Sequence, residues 1–380
     1  MAKPTKIGLI GAGFIGSCHA RAIHMMQTAF PDAPLRPEAH MIVENTEEVA
    51  RRQAERLGFV HATTDWQRAI DTCDAIVIAV PSYLHREIAL AAFAEGVPVL
   101  CEKPVGLSAS EAAELAAASK EKSVSNAVGF TYLRTPLVRH AVELVRSGSF
   151  GQPLHFRGWH CEDYFADPAA PFSWRLDPKL AGRCGALGDL GWHILSIARA
   201  LCGSVTALSG SVRTFHTRRP LPDNPSLPRD VGNEDWAGMT LEFESGAVGV
   251  VETSRVALGR KMDIGFELVC EGGTITFQGE RMNELRLYQP SVDAANQGFK
   301  LIHASSQHPD YEAFIAAPGH GLGFNDLKTI ELRDFVQAIA EGRNAVPDLD
   351  QAAKIAGICE AVLESSAAKC WISSPEAGRN

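Results

Sequence analysis

Up to residue 129 the chain alternates short apolar runs with stretches of helical spacing. Residues 6–10, 40–43, 74–80, 97–101 and 124–129 are apolar nearly throughout, as strands buried on both faces are. Between them, 17–27, 46–57, 83–95 and 108–122 repeat apolar positions every three to four residues, and Gly58 and Gly96 stand where two of these helices should stop. Strands alternating with helices predict a parallel, doubly wound sheet. The segment 28–39, with prolines at 31, 34 and 37, reads as a loop inserted before the second strand.

Beyond residue 130 the period changes. Residues 154–160, 205–215, 236–243 and 247–254 alternate apolar with polar, and Ser245-Gly246 joins the last two as a hairpin. Residues 266–270 and 274–277 flank Glu271-Gly272-Gly273, and 284–288 follows. Strands in series without helices between them predict an antiparallel sheet. Helices are expected at 136–147, 327–341 and 351–365, and the stretches 218–230 and 290–310 read as long excursions. The expectation is an α/β protein of two domains, 1–127 and 128–380, consistent with 380 residues against roughly 150 per core.

The first apolar run is followed by Gly11-Ala12-Gly13-Phe14-Ile15-Gly16 and then a helix, the context in which a G-x-G-x-x-G pattern binds a dinucleotide. Gly11 permits the tight turn, Gly13 the approach of a pyrophosphate and Gly16 the packing of helix on strand, with the phosphates on the helix N-terminus. Glu44 closes the second strand, where an acid accepts the adenosine ribose hydroxyls and repels a 2′-phosphate, so NAD is the cofactor expected. The carboxyl ends of the next strands deliver Pro81, Ser82 and His85, and Glu102-Lys103-Pro104; Lys103 would project where the nicotinamide end should lie.

The net charge of −9, without a basic face, argues against nucleic acid. Nine scattered cysteines with no C-x-x-C pair read as free thiols, and with no signal-peptide pattern or long apolar run the expected location is the cytoplasm. No metal is expected; the nearest thing to a ligand cluster is His160-Cys161-Glu162-Asp163.

The glycine loop, Glu102-Lys103-Pro104, the 130–136 stretch and Gly185-Ala186-Leu187-Gly188-Asp189-Leu190-Gly191-Trp192-His193 together resemble the Gfo/Idh/MocA oxidoreductases over almost the whole chain. Pro171-Phe172-Ser173-Trp174-Arg175 and Pro318-Gly319-His320-Gly321-Leu322-Gly323 are similar to the branch acting on levoglucosan, scyllo-inositol and L-glucose. The resemblance implies a Rossmann domain joined to an α/β domain with an open, mostly antiparallel sheet. It also implies a catalytic trio of Lys103, Asp189 and His193, with Arg175 and His320 as further substrate contacts and Trp174 against cofactor or sugar. Around Tyr132, where relatives carry Asn and Arg, this chain has Thr131 and Leu133, which removes a donor.

Oxidising a secondary alcohol sends hydride to the nicotinamide and the hydroxyl proton to a base, and an imidazole titrates in the right range for that base. The roles expected are His193 as base, with Asp189 and Lys103 binding sugar hydroxyls and Lys103 stabilising the alkoxide. The three glycines would let the 185–193 turn pass close to nicotinamide and substrate. Reduction of another carbonyl or imine, and a cofactor-binding sensor without turnover, are the alternatives. An open sheet with a face to cover predicts a homodimer or homotetramer packed sheet to sheet.

Overall fold

The computed structural model describes residues 3–376. It divides into two compact units. The first takes the chain up to Arg134 and, from far along the sequence, Gly323–Ala353.

In the first unit β1 (Lys3–Ile10), α1 (Phe14–Ala29), β2 (Leu35–Val43), α2 (Glu47–Leu57), β3 (His61–Thr63), α3 (Trp66–Thr72), β4 (Ala75–Ile78), α4 (His85–Ala94), β5 (Val99–Cys101), α5 (Ala109–Glu121) and β6 (Asn126–Val128) follow in order. The strands form one sheet in the order β3-β2-β1-β4-β5-β6, paired in parallel, with the reversal of strand order beside β1. This is the doubly wound Rossmann arrangement, whose ligand crevice opens at the carboxyl ends of the central strands.

Three local expectations are corrected. The proline-bearing 28–39 segment is not a loop: α1 runs on to Ala29 and β2 begins at Leu35, leaving five residues between them. Pro37 is tolerated because β3 pairs only Met41–Val43, so the first half of β2 has β1 alone as a partner. The short β3 and α3 carry too few residues for a period to show. Finally, the expected division at 127 leaves out the Phe324–Glu341 helix. Leu332, Phe335, Val336 and Ala338 of this helix are buried in one core with Ile7, Leu9, Ala20 and Ile23, which is why it belongs to the first unit.

The second unit comprises Thr135–Leu322 and the chain from Lys354 on. It contains α6 (Pro136–Arg146), β7 (Pro153–Cys161), α7 (Pro178–Ala181), α8 (Trp192–Cys202), β8 (Val205–Arg213), β9 (Arg218–Pro220), β10 (Pro228–Asp230), β11 (Trp236–Phe243), β12 (Val248–Ser254), β13 (Asp263–Cys270), β14 (Gly273–Gln278), β15 (Glu284–Tyr288), β16 (Lys300–His303) and β17 (Ile372–Ser373). Nine of these strands form a sheet ordered β16-β15-β14-β13-β7-β12-β11-β8-β17, antiparallel except where β12 runs alongside β7. The two excursions hold strands of their own: β9 and β10 pair as a separate ribbon, and β16 extends the sheet edge. Phe156, Phe266, Leu268 and Val251 are buried on one side of the sheet, and α8 packs over β7 there. Val248 and Val250 stand on the other side, half exposed.

Among the described residues no helix is long and apolar enough to cross a membrane. All nine cysteines are free thiols, and only Cys370 is exposed.

Candidate active site

The first unit builds its ligand crevice from the glycine loop. Gly11 sits at φ 91°, in the left-handed region, and a Cβ there would lie 2.7 Å from Ala79 O. A Cβ on Gly16 would fall 2.0 Å from Gly11 O, so loop and helix touch backbone to backbone. Gly13 is the opposite case: nothing lies within 4 Å of its Cβ position, and its outward side is open. It caps α1 without a side-chain bond, and no acid stands in the helix's first turn. The first amides of α1 therefore face an unfilled, positive end where an anion is stabilised. Phe14 is exposed and Ile15 half-buried beside them; the Phe14 ring stacks on Phe324 at 6.1 Å. Glu44 turns its carboxylate to this loop and accepts the Ala12 amide at 2.6 Å. A pyrophosphate seat with an acid at the end of β2 fits a dinucleotide carrying a free ribose diol.

Of the strand-end residues, Pro81 and Lys103 are half-buried, with side chains partly at the surface. Ser82 is buried. His85 and Glu102, expected among the cofactor contacts, instead commit their side chains to the protein. His85 is buried, with Nδ1 2.8 Å from Pro104 O and Nε2 2.8 Å from Val80 O, so it ties the loops after β4 and β5 together. Burial pushes its pKa below the ordinary histidine value, despite the two carbonyls.

Glu102 accepts from His19 Nε2 at 2.8 Å and from Lys328 Nζ. Lys328 also donates to Glu331 at 2.9 Å, and Thr131 Oγ1 reaches the other Glu331 oxygen at 3.3 Å. Lys328 and Glu331 are fully buried. Burial alone would raise the Glu102 carboxyl, but the Lys328 ammonium and the His19 bond outweigh it and hold it well below the usual carboxylate range. Burial likewise opposes the Lys328 charge, and Glu102 with Glu331 override it, raising its pKa. His19, Glu102 and Glu331 are the one group among the described residues whose ligand atoms lie close enough together for a metal ion, and an ammonium bonded to both carboxylates already supplies the cation there. Thr131, the departure from the relatives' pattern, is a member of this network.

In the second unit the 185–193 stretch is not a plain α-helix start. Leu187–Gly191 forms a π turn, with the Trp192 amide reaching back to Leu187 O, and α8 continues from it. Single π turns within helices are rare and cluster at functional sites. Asp189 lies within the turn, half-buried, and His193 just beyond it, buried. Tyr164 Oη donates to Asp189 Oδ2 at 2.8 Å, and Arg175 Nε stands 3.4 Å from the same oxygen. Desolvation and then the Asp189 carboxylate push the Tyr164 phenol well above its ordinary pKa, which keeps it a donor. The Arg175 guanidinium lies over the Trp174 ring, 4.6 Å from its centroid. His160 packs its ring 5.7 Å from that of His193 and is fixed by Leu190 O and Glu162 Oε1, each at 3.1 Å. Of the 160–163 run, Asp163 lies past the end of β7 and bonds instead to Lys261 at 2.6 Å.

Asp189, Arg175 and Trp174 are thus brought together with Tyr164, which nothing in the sequence singles out, and His193 lies beyond the turn against His160. His320 sits on an exposed loop, its Nδ1 3.2 Å from Pro318 O, and that loop is held by Tyr311 and Asn283. The glycine argument is corrected for Gly185. A Cβ on Gly185 would meet Glu234 O at 2.1 Å, so the close approach that demands glycine is to the protein's own backbone. Asn233, Glu234 and Asp235, all buried, form this backing. Their only signal in the sequence is three polar residues directly before an alternating strand.

The family model described as "Oxidoreductase family, NAD-binding Rossmann fold" matches residues 5–130, and the "GFO/IDH/MocA C-terminal domain" matches 138–276. The chain is 37% identical to levoglucosan dehydrogenase of Pseudarthrobacter phenanthrenivorans, over 97% of this chain and 98% of that protein. It is 27% identical to scyllo-inositol 2-dehydrogenase (NAD(+)) of Bacillus subtilis, over 92% and 91% respectively. Among solved structures, levoglucosan dehydrogenase in complex with NADH and levoglucosan superposes with a TM-score of 0.95 at 37% identity, covering 98% of this chain and all of the other.

Proposed function

Because the chain belongs to the Gfo/Idh/MocA oxidoreductase family, we propose that it is an NAD-dependent dehydrogenase oxidising a secondary hydroxyl of a sugar or cyclitol of the levoglucosan, inositol or L-glucose type. The observation that carries this reading is the second unit's cluster. A carboxylate, a phenol held as donor and a guanidinium meet at one oxygen, on the turn that leads into a buried histidine. Polyols need several donors and acceptors at once, and this group offers both.

Gly11, Gly13, Phe14, Ile15 and Gly16 hold the pyrophosphate in this reading, and Glu44 the adenosine ribose, with Pro81 and Ser82 lining the path toward Lys103; Trp174 is a further cofactor contact. NAD, when bound, supplies the hydride acceptor. His193 takes the hydroxyl proton at its imidazole. Asp189, positioned by Tyr164 and Arg175, accepts from neighbouring hydroxyls, and His320 adds a contact from its loop. Lys103 supplies positive charge to the oxygen that loses its proton, which stabilises the alkoxide more than the alcohol. Glu102 and His85 act behind these residues, fixing the strand-end loops rather than touching the cofactor. Free thiols throughout suit a reducing compartment, and we place the protein in the cytoplasm.

The experiment is NADH formation followed at 340 nm with purified protein, NAD and a panel of inositols, L-glucose, levoglucosan and aldoses. Turnover of at least one polyol is the expected result. No NADH from any of them overturns the assignment.

A further inference from the structure

We infer that Glu234 is a positioning residue for Asp189 and His193, an inference that rests on the dehydrogenase reading only for its kinetic consequence. Its carboxylate accepts the Gly185 amide through both oxygens and the Leu187 amide through Oε1, each at 2.8 Å. Its own carbonyl accepts the Ala186 amide at 2.9 Å. Three successive amides entering the π turn are thus taken by one residue, 49 positions away in sequence from the first of them.

Helix starts leave their first amides without partners, and a nearby Ser, Thr, Asp or Asn is the usual remedy. The π turn has no such side-chain cap of its own. Glu234 substitutes for it from the segment just before β11, and does so buried, where an unmade bond is costly. The segment around it has a second duty. Glu234 belongs to a tripeptide that also fixes the other side of the site: Asn233 Nδ2 donates to Arg175 O at 2.8 Å, and Asn233 Oδ1 accepts from Arg255 at 2.9 Å. Asp235 takes Arg255 Nε at 2.9 Å and the amides of Phe215 and His216. One rigid segment therefore fixes the backbone of Arg175 and the turn of Asp189 together, and with them the separation of the two side chains. Sites held by such backing lose rate steeply when it loosens by as little as an ångström.

Glu234→Gln tests this. The amide keeps one acceptor oxygen but turns an N–H₂ toward amide donors, so at least one of the three side-chain contacts is lost. Hydrogen exchange at residues 185–189 is expected to speed up at least ~10-fold while the sheet stays protected. With the best polyol, kcat per folded molecule is expected to fall at least ~10-fold with KM for NAD unchanged. Asn233→Ala, which frees Arg175, is expected to raise the polyol KM instead. Unchanged exchange at 185–189, or faster exchange throughout the unit with unchanged kcat, overturns the inference. If Glu234→Gln does not fold, Glu234→Asp, which keeps the charge but shortens the reach, is read in the same way. Should the parent protein oxidise no polyol, the functional reading fails, while the exchange result still decides whether Glu234 holds the turn.

Discussion

Replacing Lys328 with methionine removes one positive charge from a fully buried site and leaves its length nearly unchanged. Glu102 and Glu331 then lose the ammonium both are bonded to, keeping the His19 ring and the Thr131 hydroxyl as partners. Removing one partner from a buried ion pair typically destabilises by about 3–5 kcal/mol, because the remaining charge has no water to turn to. For a domain of this size about 2–4 °C of Tm goes with each kcal/mol, so the first unit should melt roughly 6–20 °C lower at pH 7. The pH dependence is the sharper sign. In the parent, the Glu102 carboxyl is held below its unfolded value of about 4.3, so its contribution is complete above that pH and is lost on further acidification. In Lys328→Met, two buried carboxyls without their cation bind protons more readily folded than unfolded, so stability should rise as pH falls from about 7 toward 5. Thermal melts followed by circular dichroism between pH 5 and 8 measure both effects. A variant as stable as the parent at pH 7, with the same pH slope, refutes the reasoning that Lys328 neutralises this network.

The other predictions concern the reaction. Glu44→Ala should lower kcat/KM for NAD about 10–100-fold, the loss of charge-assisted ribose bonds, and bring NADP closer to NAD; equal use of both cofactors by the parent would contradict the role. Tyr164→Phe removes the 2.8 Å bond to Asp189 and should lower kcat/KM for the polyol about 10-fold at constant NAD affinity, which steady-state kinetics with each substrate varied will separate. We propose that a second copy covers the sheet face bearing Val248 and Val250. Light scattering should give a mass of at least two chains, reduced by Val250→Arg; a monomeric parent would remove the proposal.

What the sequence made legible was local chemistry. Gly16 is legible from spacing because its close contact is with Gly11, five residues earlier, whereas the Ala79 carbonyl that crowds Gly11 is far along the chain; Glu44 is marked by its place at a strand end. Asp189 and His193 stand out through the resemblance, but the π turn that holds Asp189 does not, since apolar spacing scarcely differs between one wide turn and an ordinary one. Contacts between distant residues left no trace. Lys328 reads as an ordinary lysine in an amphipathic helix, and only the packing of that helix into the first core shows it buried. Tyr164 follows a strand without any pattern to mark it. Pro37 misled by its type: proline argues for a loop, and the strand accommodates it only because its neighbour is short there.

The central claim is that a histidine of the second unit is the base for polyol oxidation by NAD. Turnover of His193→Ala against the parent, with the same polyol and with NAD affinity measured alongside, tests it most directly. A fall of at least ~100-fold in kcat with NAD binding unchanged is the predicted result. Equal turnover by the two proteins would contradict it.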